Sequence, residues 1–292
     1  MDAKVSSPRQ RHIALESRGG ATAFLDFGPQ DRPVDVVFSH ANGFNARTYR
    51  TLLEPLAGEM RILAIDLRGH GASTLPTVIE GRDGWAEFRD DLLAFLAAAT
   101  EAPVVLAGHS MGGTSSLLAA AVEPARVKRL ALFDPVIKPR EAMADGVPIT
   151  ESPLIQGALR RRAVFPSKPA AVEAYTGRGA FRSWTPAMVA DYVEAGFRET
   201  PDGEVTLTCT PAWEASNFRT HNYDPWAAFA ASRCPIDIRL AAEGSTCGIA
   251  GHEAELVADG RITIETVPGT SHFLPMERPD VVAQALRAAV AA

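Results

Sequence analysis

A serine held between two glycines is the clearest chemical signal in this chain. Gly108-His109-Ser110-Met111-Gly112 follows a short apolar run, Pro103–Ala107, and precedes a helical pattern starting near Gly113. Turning from strand to helix in so few residues strains the central backbone and brings neighbouring segments close. Glycine on both flanks removes the Cβ atoms that would collide. The Ser110 hydroxyl then projects above the sheet edge as a candidate nucleophile. The Met111 N–H, at the positive end of the following helix, points to the same place. This strand–turn–helix context is what separates the G-x-S-x-G pattern from a glycine-rich turn with an exposed serine. A serine hydroxyl is a poor nucleophile at neutral pH and needs a base. His272, in Gly269-Thr270-Ser271-His272-Phe273, follows the last strand pattern. A loop at the C-terminal edge of a sheet can deliver its imidazole to a serine there.

The elements that must position these residues alternate. Strand patterns fall at His12–Ser17, Ala21–Phe27, Val34–Ser39, Arg61–Asp66, Pro103–Ala107 and Leu130–Phe133, the first two joined through Gly19-Gly20 as a hairpin. Trp85, Phe88, Leu92, Phe95, Leu96 and Ala99 make one apolar helical face, and Thr114–Val122 reads as a second helix ending before Pro124. Strands alternating with helices imply a mostly parallel sheet covered on both faces. From Lys138 to about Arg233 the alternation stops; prolines punctuate helical and irregular segments with few strand signals, and Trp184, Trp213 and Trp226 fall here. It resumes with a strand at Ile236–Ala241, a helix at His252–Ala258, a strand at Arg261–Val267 and a helix at Val281–Val290, which Asp280 can cap. The expected division is a core of residues 1–137 and 234–292 with a helical cap, 138–233, over one end of the sheet.

Composition narrows the function classes. A chain of 292 residues with 46% hydrophobic and 22% charged content can bury a sizeable core. A net charge of -6 argues against a general nucleic-acid or anionic-membrane binder. The basic run Arg160-Arg161-Arg162 reads as a solvated helix face rather than an anion site. Cys209, Cys234 and Cys247 are odd in number and lack metal-ligand spacing, so reduced structural thiols are expected. The histidines show no HExxH-like pattern, and no metal or cofactor is expected. Met1–Gln10 lacks the apolar run of a signal peptide, and no stretch is long enough to span a membrane; a cytoplasmic location follows as a default. The expected partner is a small-molecule substrate, with no nucleic acid and no membrane, bound by a monomer or homodimer.

Further segments, in order, carry a resemblance. Phe38-Ser39-His40-Ala41-Asn42-Gly43-Phe44 resembles an H-G-x oxyanion loop, with Ala41 where glycine is usual. Ile65-Asp66-Leu67-Arg68-Gly69-His70-Gly71-Ala72-Ser73 and Ser271-His272-Phe273-Leu274-Pro275-Met276-Glu277-Arg278-Pro279 are similar to two other loops of the same family. With the serine turn, they make the chain resemble the α/β-hydrolase superfamily over nearly its full length. The resemblance implies an eight-stranded, mostly parallel sheet flanked by helices, with a helical cap inserted after the sixth strand. It implies Asn42 and Met111 as the two oxyanion N–H donors, and structural roles for His40, Asp66, His70 and His109. For the acid it implies two places. Glu243 lies near the usual one, where Gly244 or Ser245 occupies the expected position. Asp134, after the strand ending Leu132-Phe133, matches the arrangement of haloalkane dehalogenases, which also carry an asparagine where Asn42 lies. Asp134 is favoured and Glu243 is the alternative.

A serine rather than an aspartate at the turn argues against dehalogenase or epoxide chemistry and suits acyl transfer to water. The expected function is a carboxylic-ester hydrolase working through an acyl-enzyme on a small or medium substrate. C–C bond or lactone hydrolysis with the same residues is the alternative, and a non-catalytic receptor on this fold is a third reading. Trp184, Trp213, Trp226, Phe181 and Phe218 are candidates for an apolar pocket, though cap core is the plainer reading for each. Trp213-Glu214 and His221-Asn222 are candidates to reach the site.

Overall fold

In the computed structural model the residues described are 7–82, 84–144, 152–220 and 222–292. The first part of the N-terminal stretch read for a leader, Met1–Ser6, and His221 lie outside them. The strands are β1 Arg9–Leu15, β2 Gly20–Phe27, β3 Val36–Ser39, β4 Ile62–Ile65, β5 Val104–His109, β6 Val127–Phe133, β7 Val164–Phe165, β8 Phe197–Glu199, β9 Val205–Leu207, β10 Ile236–Ala241 and β11 Ile262–Val267. Eight of them form one sheet in the order β1-β2-β4-β3-β5-β6-β10-β11. β1 and β2 pair antiparallel, β2 meets β4 antiparallel, and every pair from β4 to β11 is parallel. The eight-stranded, mostly parallel sheet read from the sequence is therefore present.

The side chains of the central strands divide with the period of two that a pleated strand imposes. Val37, Leu106, Leu130 and Leu132 join one core, against the helices Ala86–Ala99 and Met111–Val122. Val36, Phe38, Ala107, Ala131 and Phe133 join the other, against Arg50–Leu53 and Pro279–Ala291. Both faces are covered, which is why these strands read as near-continuous apolar runs. The register sets Ser39 opposite Gly108, His109 opposite Phe133, and Phe133 opposite Arg239. The residues that follow these strands therefore emerge side by side at the C-terminal edge.

Between β6 and β10 the chain forms helices Arg140–Ala144, Pro153–Leu159, Lys168–Tyr175, Pro186–Gly196, Pro211–Arg219 and Pro225–Ala231. It also forms a small antiparallel sheet, β7-β9-β8, that the sequence reading missed because strands of two or three residues are too short for alternation to show. The prolines that look like irregular punctuation mark helix starts instead. Ser152, Ser167, Thr185, Thr210 and Asp224 each accept a backbone N–H at a helix N-terminus that carries proline in its first positions. Proline's fixed φ suits the first turn, where its missing N–H would have no partner.

Other expectations shift. The first strand ends at Leu15, and Glu16–Arg18 form a 3-10 turn closed by Gly19 at φ 76, so the turn precedes Gly20. Asp280 lies inside the first turn of the last helix, which starts at Pro279, and pairs with Arg278 rather than capping. The run 160–162 is not a uniformly solvated face: the helix stops at Leu159, and Arg161 turns inward to Glu214 at 2.9 Å and to the Tyr192 hydroxyl. Cys209, Cys234 and Cys247 are free and buried. No described helix is long and apolar enough to cross a membrane.

Candidate active site

Ser110 follows β5 at φ 54 and ψ -123, and its N–H donates to Phe133 O at 3.0 Å. The flanking glycines allow this. A Cβ on Gly112 would lie 2.3 Å from Ser39 O, and one on Gly108 would lie 2.5 Å from the Gly112 carbonyl carbon. The serine turn is thus pressed against the end of β3. The Ser110 hydroxyl lies 3.0 Å from His272 Nε2, and His272 Nδ1 lies 2.6 Å from Asp134 Oδ2. A carboxylate only accepts, so Nδ1 carries the hydrogen and Nε2 is left to accept from Ser110.

Asp134 follows β6 at φ 44, fully buried, and its N–H donates to Arg239 O at 2.8 Å. Its Oδ1 accepts from Ala241 N–H at 3.0 Å and Ser245 O–H at 2.5 Å; its Oδ2 accepts from Thr246 N–H at 3.0 Å as well as from His272. Burial pushes the carboxyl up, but the hydrogen bonds from His272, Ser245 and Ala241 outweigh it and hold the pKa below the usual carboxylate value. Glu243, the alternative acid, is exposed. It is Ser245 and Thr246, in the loop where the usual acid was sought, that donate to Asp134.

His272 is held at its backbone by a buried chain of bonds. The Ala41 N–H donates to the Tyr49 hydroxyl at 3.1 Å, that hydroxyl meets His109 Nδ1 at 2.7 Å, and His109 Nε2 donates to His272 O at 2.7 Å. The carbonyl can only accept, so His109 is protonated at Nε2 and Tyr49 donates to Nδ1. Burial pushes His109 down to about 3, which keeps it neutral for this duty. Ser271 anchors the same loop through N–H and O–H bonds to Glu277, at 2.7 and 2.8 Å.

In the loop after β3 the amides on either side of Asn42 are both committed within the protein. The Ala41 N–H goes to Tyr49, and the Gly43 N–H goes to His70 Nε2 at 3.0 Å. Among the described residues no protein acceptor takes the Asn42 N–H between them, nor the Met111 N–H at the helix start. His70 and His40 brace this loop: His70 Nδ1 meets Arg68 O at 2.9 Å, and His40 Nε2 accepts from Leu67 N–H at 2.9 Å. Burial pushes His70 down to about 4 and His40 well below its usual value. Asp66 ties the next loop, accepting from Ala46 N–H at 2.8 Å and Ala72 N–H at 2.9 Å, and burial raises it to about 6.

Of the aromatic candidates, only Trp184 and Phe181 join a cluster beside His272. Trp184 packs on Phe44 at 5.1 Å and Phe273 at 6.1 Å, with Phe181 4.8 Å from Trp184. Trp213 is buried in the core-side cluster and donates to Arg68 O at 3.0 Å. Trp226 donates to Lys138 O at 2.8 Å and packs on His252, while Phe218 packs with Ile155, Ala158 and Ala215. A cavity of about 420 Å³ lined by Arg47, Asp66, Ala72, Glu194 and Phe197 includes none of Ser110, Asp134 and His272. The hydrogen-bonded line at Ser110, not that cavity, has the geometry of a candidate reaction centre.

Residues 36–285 match the model of the alpha/beta hydrolase family, and the chain belongs to that family. It is similar to a 2-(acetamidomethylene)succinate hydrolase of Mesorhizobium japonicum, 30% identical over 100 residues, 34% of each chain. It is also similar to a monoglyceride lipase of Rattus norvegicus, 31% identical over 137 residues, 45% of each chain. These matches span under half of the relatives' own lengths. The solved structure of an E-2-(acetamidomethylene)succinate hydrolase shares the fold with a TM-score of 0.77 at 21% identity, covering 98% of this chain and all of that one. The general class these relatives support is a hydrolase.

Proposed function

We propose that the protein is a serine-dependent carboxylic-ester hydrolase for a small or medium substrate. The observation that carries this is the continuous relay Ser110 Oγ–His272–Asp134, together with two amides, Asn42 N–H and Met111 N–H, that no protein acceptor takes among the described residues. Ser110 Oγ attacks the ester carbonyl carbon as His272 Nε2 takes its proton. Asp134 holds the tautomer and steadies the imidazolium. The carbonyl oxygen becomes an anion and accepts from Asn42 and Met111. His272 returns the proton to the departing alcohol, leaving an acyl-serine. Water, deprotonated by His272, releases the acid and restores the hydroxyl. In this reading residues 138–233 are a cap over the core of 1–137 and 234–292. The contacts of Trp213 with Arg68 O and of Glu214 O with Asn42 support it.

Labelling by a serine-directed phosphonate, with mass mapping, tests the proposal. Label on Ser110 with loss of activity is expected; full activity in Ser110→Ala would sink it. A relative named for a methylenesuccinate substrate keeps a second reading open, cleavage of a bond other than a simple ester by the same residues. A panel of p-nitrophenyl esters, lactones, vinylogous diketones and that succinate separates the two. Tight binding of any of these without turnover would favour a receptor.

A further inference from the structure

The N–H of Asn42 is the part of that residue the proposed chemistry uses, yet its side chain is also held at both ends. Asn42 Nδ2 donates to Glu214 O at 3.1 Å, and Asn42 Oδ1 accepts from Asn217 Nδ2 at 2.8 Å. Glu214 and Asn217 are three apart on the helix Pro211–Arg219, and so share one face. Asn217 is completely buried, and its own Oδ1 accepts from Arg82 Nη1 at 2.8 Å. Its carbonyl accepts from Trp85 Nε1 at 3.1 Å, which fixes the end of the helix against the core.

The polarity of this series is set from one end. A guanidinium only donates, so the oxygen of Asn217 must face Arg82 and its NH2 must face Asn42. Asn42 must then present oxygen to Asn217 and NH2 to the Glu214 carbonyl. No member can turn its amide over without leaving a buried donor facing a donor, or an acceptor facing an acceptor. Arg82 is itself buried over the Trp213 ring, 4.1 Å from its centroid, and pairs with Glu87.

We propose that Asn217, oriented by Arg82, is a positioning residue for the Asn42 N–H. The helix that carries it thereby sets one of the two oxyanion donors from outside the sheet. This rests on the reading of Asn42 as such a donor. A misplaced donor stabilises the transition state less while leaving ground-state binding nearly untouched, so the effect falls on kcat rather than KM.

The test uses the full chain with an activated ester. Asn217→Leu, close in size and unable to hydrogen-bond, should lower kcat by roughly 10- to 100-fold with KM within about twofold. The rate of phosphonate labelling should fall in parallel. Asn217→Asp keeps the size and the bond to Arg82 but offers Asn42 Oδ1 no hydrogen; it should show the same split and carries the test if the leucine variant does not fold. In an Asn42→Ala background, where the backbone N–H remains but nothing is left to clamp, the Asn217 substitution should add little. A merely structural residue would instead cost the same in both backgrounds, and that result overturns the inference. So does an unchanged kcat in a folded Asn217 variant whose parent is labelled at Ser110. An unlabelled parent overturns the underlying reading as well, which keeps the two failures apart.

Discussion

The C-terminal edge of the sheet and the helical insertion hold their residues by different means. At the edge the backbone does the positioning. Ser110 and Asp134 each follow a strand, each takes a positive φ, and each donates its N–H to a neighbouring strand, to Phe133 O and Arg239 O. In the insertion, side chains do it: five hydroxyl or carboxylate caps start short helices, and polar contacts such as Asn217–Asn42 and Trp213–Arg68 dock them. A residue at a shared strand end cannot shift without shifting the sheet. A capped helix can be re-sequenced or tilted while the sheet stands. On the proposed reading, reaction type therefore belongs to the core and substrate choice to the insertion.

The sharpest way to break this comparison is at the serine. Ser110→Ala should lower ester kcat by roughly 10⁴-fold or more, measured in the steady state on a chain shown folded by circular dichroism. Next, Asp134→Asn should cost roughly 10⁴-fold by placing the wrong tautomer on His272, while exposed Glu243→Gln should leave kcat within about twofold. A reversed pair of results would move the acid to the other strand.

Acid should act on the edge through its neutral histidines. His109 near 3 and His70 near 4 lie below the ordinary value of 6.5, so the unfolded chain binds protons that the folded one refuses. Stability supplied by keeping them neutral is intact above pH 6.5 and is lost as pH falls toward 4, by up to about 1.4 kcal/mol per pH unit for each. Asp66, raised to about 6, works the other way, its burial penalty easing as pH falls below 6. The net expectation is falling stability, read from urea melts between pH 7 and 4.5; a flat profile would contradict it. Tyr49→Phe, which strands the Ala41 N–H and His109 Nδ1, should cost roughly 1–3 kcal/mol in the same melts and also slow turnover. Smallest, Thr185→Ala removes one insertion cap, for about 1 kcal/mol with kcat unchanged.

The edge was more legible than the insertion, for physical reasons. The serine turn, the strands that lead to it and His272 each leave a local mark, because a strand buried on both faces must be apolar and a tight turn needs glycine. Asp134 could be favoured but not separated from Glu243, since the four residues that donate to its carboxylate lie more than a hundred positions away. Tyr49 and Asn217 left no signal: one hydroxyl and one amide look like any other until the fold sets them against His109 and Asn42. Arg161 misled because three consecutive arginines read as one solvated helix face, whereas in the fold Arg160 and Arg162 are exposed and the middle guanidinium turns inward.

The backbone of Ser110 has a consequence for durability. At φ 54 and ψ -123 it occupies a region that a side chain makes costly and glycine does not, by roughly 1–2 kcal/mol. Some of that returns through the looser unfolded chain of a Ser110→Gly variant. The remainder should still let the variant melt at a higher temperature than its parent, while catalysing nothing. On the proposed reading, heat resistance and turnover are opposed at this one residue, and a selection for thermal endurance alone would discard the proposed nucleophile first.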